Sequence, residues 1–128
     1  YFGFAEMVRN FSNKKLSDGG SIVALSSYAS INGDKGQLAY SASKGAIDSS
    51  VIVMAKELYS KNIRVNAIRP AIVNCEELNL NDRTKELVNL MQTGPIDPKN
   101  VAEQIAFLLS DCSSGVYGRC FDVKGYLS

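Results

Sequence analysis

The chain opens with apolar side chains at helical spacing. Phe4, Met7, Val8 and Phe11 recur every three or four positions, which predicts an amphipathic helix already under way at residue 1. Asp18-Gly19-Gly20 ends it. Residues 21–27, Ser-Ile-Val-Ala-Leu-Ser-Ser, then run apolar without alternation, the pattern of a short strand buried on both faces of a parallel sheet. A polar loop follows over residues 28–36, with Asn32-Gly33 and Gly36 as its turn signals. Residues 38–60 predict a long helix whose first turns are built from Ala39, Ala42, Ser43 and Gly45, small enough for a neighbour or ligand to approach the backbone. Ile63-Arg-Val-Asn-Ala-Ile-Arg69 predicts a second strand, stopped at Pro70 because proline has no N–H for the ladder and restricts the residue before it.

Strand, helix and strand make one βαβ unit, so the fold class is α/β. Parallel strands joined this way lie side by side with a right-handed crossover, and ligands bind beyond their carboxyl ends, here residues 26–27 and 70–71. Residues 75–99 are more polar, with a predicted helix over 82–92 and breakers at Gly94, Pro95 and Pro98; the stretch is a candidate flap over the site. Asp97-Pro98-Lys99-Asn100 then opens a helix to about residue 110, with Val101, Ile105, Leu108 and Leu109 facing inward. Residues 119–123 form a last strand.

Composition narrows the function classes. With 45% hydrophobic and 21% charged residues, the 128-residue chain fits one compact globular domain. A formal charge of +1, from 14 basic and 13 acidic residues, creates no field that would steer it to nucleic acid or an anionic membrane. Lys14-Lys15 is only a pair and reads as a solvated helix end. There is no histidine, and Cys75, Cys112 and Cys120 have no metal or redox spacing, so neither a metal site nor histidine catalysis is expected. The odd cysteine count suits a reducing compartment, no apolar run is long enough to span a bilayer, and no signal peptide is apparent; the reading is cytoplasmic.

The candidate chemistry lies in Ser27, Tyr40 and Lys44. On a helix, Tyr40 and Lys44 share a face, so the ammonium comes near the phenol. A free tyrosine ionises near pKa ~10, and a close cation favours the phenolate and lowers that value toward what a proton-transfer catalyst needs. Ser27, at the carboxyl end of the first strand, can aim a hydroxyl at the same oxygen that the tyrosine protonates. By itself Tyr-x-x-x-Lys is common and usually means a buried ring beside a solvated lysine. The glycine-containing turn, the small-residue helix start and the Ser-Ser strand end around it favour the chemical reading.

The chain resembles the short-chain dehydrogenase/reductase family, in the style of its oxoacyl-acyl-carrier-protein reductases. Gly20-Ser-Ile-Val-Ala-Leu-Ser-Ser27, Tyr40-Ser-Ala-Ser-Lys44-Gly-Ala, Ile63-Arg-Val-Asn-Ala-Ile-Arg-Pro70 and residues 118–125 match its signatures in order. The resemblance implies the C-terminal part of a doubly wound Rossmann-like parallel sheet, its last three strands with flanking helices. It also implies an enzyme that interconverts a carbonyl and a secondary alcohol with NAD or NADP. In that family the serine binds the substrate oxygen, the tyrosine transfers its proton, and the lysine holds the nicotinamide ribose while tuning the tyrosine. The segment after Pro70 grips the carboxamide, which brings Pro70, Ala71, Val73 and Cys75 into the cofactor set with Tyr40 and Lys44. Partners implied are a small-molecule carbonyl or alcohol and a second copy of the chain, as a homodimer or homotetramer.

Some positions depart from the family. Ala71 stands where it has glycine, Cys75 where it has threonine, and Val123-Lys124-Gly125-Tyr126 where it has Val-Asp-Gly-Gly. No glycine-rich phosphate loop occurs in the 128 residues. The expectation is therefore that residues 1–128 are the C-terminal catalytic half of one domain, inert alone, whose dinucleotide-binding half lies outside this chain. A non-catalytic scaffold or binding protein of the same fold is the alternative.

Overall fold

The computed structural model describes residues 1–13, 19–74, 85–86, 88–89 and 94–125. Three parallel strands lie in chain order, β1 (Gly20–Leu25), β2 (Ile63–Pro70) and β3 (Cys120–Val123). Around them run α1 (Phe2–Asn13), α2 (Leu38–Leu58) and α3 (Pro98–Leu109), with short 3-10 turns at Tyr28–Ser30, Tyr59–Lys61 and Asp111–Ser113.

Alternation along the central strand sorts the two faces. Val65 and Ala67 pack with Val8 of α1 and with Val51 and Ala55 of α2, whereas Ile68 packs on the opposite side with Val101 and Leu108 of α3. The result is a doubly wound sheet with helices on both faces. Each buried aliphatic side chain contributes about 1.5–3 kcal/mol through its removal from water, so α2 is held mainly by its middle and last turns.

Two inward assignments do not hold. Met7 and Leu109 are half or more exposed, while their chain neighbours Val8 and Leu108 are buried. One residue turns a helix by about 100°, and these helices bury only a narrow stripe, so a side chain one position off the stripe faces water. Pro70 is the last residue of β2, at the point where the strand was expected to stop. Ala67 and Ala71 donate to β3 at Arg119 and Val123, so Pro70, one residue out of phase, leaves no gap in that ladder; on its other side β1 has already ended at Leu25.

Helix α3 starts as its sequence predicts. The Asp97 carboxylate accepts from the Lys99 N–H at 2.8 Å, and Pro98 occupies the first turn, where a missing N–H costs nothing. Its far end is closed by Arg64, whose buried guanidinium donates to the carbonyls of Leu108, Ser110 and Ser113 and to Ser113 Oγ. A cation suits the negative end of a helix, and it adds to the bonds these carbonyls also accept from Ser21 Oγ, Ser113 and the Val116 N–H. Beside it, the Asn66 side chain donates to the Val116 carbonyl and accepts from the Arg119 N–H.

Beyond β2, Val73 and Ile96 form a parallel bridge: Ile96 N–H donates to Ile72 O and Asn74 N–H to Ile96 O, both at 2.8 Å. The flap and helix expected over residues 75–92 lie outside the described residues, except that 85–86 and 88–89 are helical. Among the described residues no helix is long and apolar enough to cross a membrane.

Candidate active site

At the carboxyl end of the sheet the backbone of β1 leaves the ladder. Ser26 N–H still donates to Ile68 O at 2.8 Å, and Ser27 then starts the 3-10 turn Tyr28–Ser30, its hydroxyl accepting from the Ala29 N–H at 3.2 Å. The serine is thus an N-cap, a role that hydroxyl side chains fill well, with its Oγ fixed at the strand end.

The loop after this turn is pressed onto the first turns of α2. A Cβ on Gly33 would run into Ser41 Oγ and lie 2.9 Å from the Ala29 carbonyl, so only glycine allows that approach. The small residues of early α2 were expected to admit a close neighbour, and the neighbour is this loop. The Ser30 carbonyl would sit 3.8 Å from a Cβ on Gly45, an ordinary contact. Gln37 N-caps α2 without a side-chain bond to it; its amide oxygen accepts instead from the Asp34 N–H.

Tyr40 and Lys44 stand on one face of α2, the ammonium 5.8 Å from the ring centroid. Lys44 Nζ also donates to the Leu25 carbonyl at 2.9 Å, and Ser26 Oγ donates back to the Lys44 carbonyl. These bonds stitch the helix to the end of β1. Tyr40 remains 50% exposed.

A cleft of about 520 Å³ opens between these pieces, lined by Ser27, Tyr28, Gln37, Tyr40, Ala71 and Ile72 among others. Such a volume suits a small organic ligand. On the rim, the Lys124 ammonium lies 5.1 Å from the centroid of the Tyr28 ring, so the lysine that replaces the usual aspartate is folded back over the cleft wall.

Ser27, Tyr40 and Ala71 therefore face one cavity, with Lys44 behind the tyrosine. Pro70 is buried at the strand end, where it delivers Ala71. Val73 is taken up by its bridge to Ile96 and by packing with the α3-side core, and is not among the cleft residues. Cys75 lies outside the described residues. Ile72 lines the cleft although the sequence singled out its neighbours; its place directly after Ala71 was the available signal. Asp48, one turn past Lys44, was also passed over. It accepts from Ser30 Oγ and lies 3.6 Å from Arg69.

A sequence model for the enoyl-(acyl carrier protein) reductase family matches residues 1–126. The chain is 36% identical over 127 residues to the uncharacterised oxidoreductase YgfF of Escherichia coli, covering 94% of this chain and 51% of that protein. It is 36% identical to the 3-oxoacyl-acyl-carrier-protein reductase FabG of Thermotoga maritima, covering 98% and 52%, and 34% identical to the L-xylulose reductase of Caenorhabditis elegans, covering 95% and 50%. Among solved structures, a short-chain type dehydrogenase/reductase from Mycobacterium ulcerans superposes with a TM-score of 0.78 at 30% identity, covering 94% of this chain and 43% of that one. The chain spans about half the length of the curated relatives it matches.

Proposed function

This chain belongs to the short-chain dehydrogenase/reductase family, and from that premise we propose that it carries the proton-handling part of an NAD(P)-dependent oxidoreductase. The reaction is interconversion of a carbonyl and a secondary alcohol. The observation that supports this most is the exposed Tyr40 beside Lys44, at the mouth of a cleft that also contains Ser27.

In this reading Tyr40 is the general acid and base. Its hydroxyl gives a proton to the carbonyl oxygen in reduction and takes it back in oxidation. Ser27, held by its cap bond, hydrogen-bonds that same oxygen and orients the carbonyl. Lys44 places a positive charge beside the phenol ring. The described residues suit the nicotinamide-ribose end of a dinucleotide, because a phenol stands in the cleft wall with an ammonium behind it and Ala71 and Ile72 give an apolar wall. Bound there, the nicotinamide supplies or accepts the hydride. Tyr40, Lys44, Pro70, Ala71, Val73 and Cys75 form the proposed cofactor-side set, and residues 1–128 the catalytic half of the domain. Half-exposed Ile52 and Val53 on α2 support assembly with further copies of the chain.

The test is made on the full-length protein. Tyr40→Phe should cut turnover by about 10³-fold, the scale of a lost general acid, and leave NAD(P) affinity within about twofold. Lys44→Ala should weaken both turnover and cofactor binding. Wild-type turnover in Tyr40→Phe ends the mechanism, and failure of the wild type to bind NAD or NADP favours the scaffold reading.

A further inference from the structure

Tyr40, Lys44 and Asp48 follow one another at four-residue intervals along α2, yet only the first two have a part in the reaction proposed above. Asp48 does something different. Its Oδ2 accepts the hydroxyl of Ser30, the last residue of the 3-10 turn that begins directly after Ser27. The Arg69 guanidinium lies 3.6 Å from the same oxygen. Arg69 Nε in turn is 2.7 Å from Asp122 Oδ1, an ionic contact off the N–H axis, and Arg69 Nη2 donates to the Cys120 carbonyl at 3.4 Å.

The Asp48 and Arg69 side chains are only 13% and 17% exposed. Placing a carboxylate there is costly, and a buried ion pair is a poor source of net stability compared with apolar packing. What this one achieves is connection. It ties together the Ser27 turn, the helix of Tyr40 and Lys44, the end of β2 before Ala71, and β3. Among the described residues the turn's other ties are weaker: the cap bond accepted by Ser27 from Ala29 is local to it, and Lys124 sits only over the Tyr28 ring.

We propose that Asp48 is a positioning residue: held by Arg69, it latches Ser30 and so sets Ser27 relative to Tyr40. The proposal rests on the reading of this cleft as an active site. Misplacing a reacting group by an ångström costs up to about 10²-fold in rate, so a latch acting on only one of three groups should be worth about tenfold.

Full-length Ser30→Ala, Ser30→Thr, Asp48→Ala and the Ser30→Ala/Asp48→Ala double variant are compared with wild type and Tyr40→Phe. Two measurements are made: amide hydrogen exchange across residues 28–32, and NAD(P)H-dependent reduction of an acetoacetyl thioester and an α-diketone as probes. Loss of the latch should speed exchange of the turn about tenfold while core amides of β2 keep their protection. It should also lower kcat about tenfold with KM and cofactor affinity nearly unchanged. The double variant should lose no more than the worse single one, because both break the same contact, and Ser30→Thr should restore the loss. If Asp48→Ala does not fold, Ser30→Ala alone carries the comparison.

Unchanged exchange and kcat in Ser30→Ala overturn the latch. So does a kcat loss that merely tracks a fall in melting temperature. If those results come with an inactive Tyr40→Phe, only the latch fails. If Tyr40→Phe turns over like wild type, the active-site reading fails and the latch with it.

Discussion

The two ends of this three-stranded sheet treat polar side chains in opposite ways. Where β1 and β2 begin, Arg64 and Asn66 are buried and matched to partners: the arginine spends its donors on the C-terminus of α3, and the asparagine uses both ends of its amide. Where the strands finish, Tyr40 and Lys44 are held at the backbone level by stitches to β1, but the phenol itself is left half in water and faces a cleft. The same fold thus uses polarity as cement at one end and leaves it open to a cleft at the other. Saturated hydrogen bonding is what tells them apart, since a group with every bond taken has nothing left to offer a substrate.

Exchanges at each end should separate these roles. The largest effect on stability is expected from Arg64→Ala in the full-length protein. It removes four hydrogen bonds from a buried guanidinium, although each carbonyl keeps a second donor, and should lower unfolding stability by about 1.5–3 kcal/mol in chemical denaturation, while activity per folded molecule stays at the wild-type level. Tyr40→Phe is the mirror case, with turnover lost and stability within about 0.5 kcal/mol. An Arg64→Ala protein of normal stability, or a Tyr40→Phe protein that melts early, breaks the contrast.

A smaller effect is predicted for two glycines on either side of the turn–helix contact. Gly33→Ala should cost about 1–3 kcal/mol, because its methyl meets Ser41 and a backbone carbonyl, and should depress kcat as the loop shifts. Gly45→Ala has room and should be neutral or stabilising by up to about 1 kcal/mol, the helix-propensity gain. Thermal melts of the pair distinguish the two.

The smallest effect concerns thiols. Burial, aided by the nearby Asp48 charge, pushes the Cys120 thiol up to about 11, whereas Cys112 is exposed. At pH 8 only about one Cys120 in a thousand is thiolate, so in a Cys75→Ser background iodoacetamide should label Cys112 first and Cys120 far more slowly. As pH rises toward 11 the Cys120 rate should climb. Equal rates at pH 8 contradict the burial of that side chain's chemistry.

Much of this was legible in the residues. Apolar runs bounded by Gly and Pro gave the strand–helix–strand unit, and the four-residue step from Tyr40 to Lys44 gave their adjacency on one helix face, because spacing and strand punctuation are local properties. Arg64 and Asn66 were not legible as core. Alternating with Ile63, Val65 and Ala67 they imitate the solvent face of a strand, and their partners arrive only with α3 and the segment after it, more than thirty residues later. Asp48 was obscured for the same reason. Its partners Ser30, Arg69 and Asp122 come from three other segments, and no periodicity within a single helix announces them. Leu109 and Met7 erred the other way, as apolar residues whose neighbours took the inward place.

The bridge between Val73 and Ile96 has a consequence for how such a chain can diversify. Two backbone hydrogen bonds clasp the chain on either side of residues 75–93, directly beside the cleft wall formed by Ala71 and Ile72. Closing a loop grows costlier only with the logarithm of its length, about 0.6 kcal/mol for each doubling. A change in the length of chain between the two halves of the clasp thus adds little closure entropy, and the clasp's two hydrogen bonds lie between it and the sheet. Under the proposed function, changes within that interval beyond Cys75 would alter the cleft's surroundings while Ser27, Tyr40 and Lys44 stay where they are.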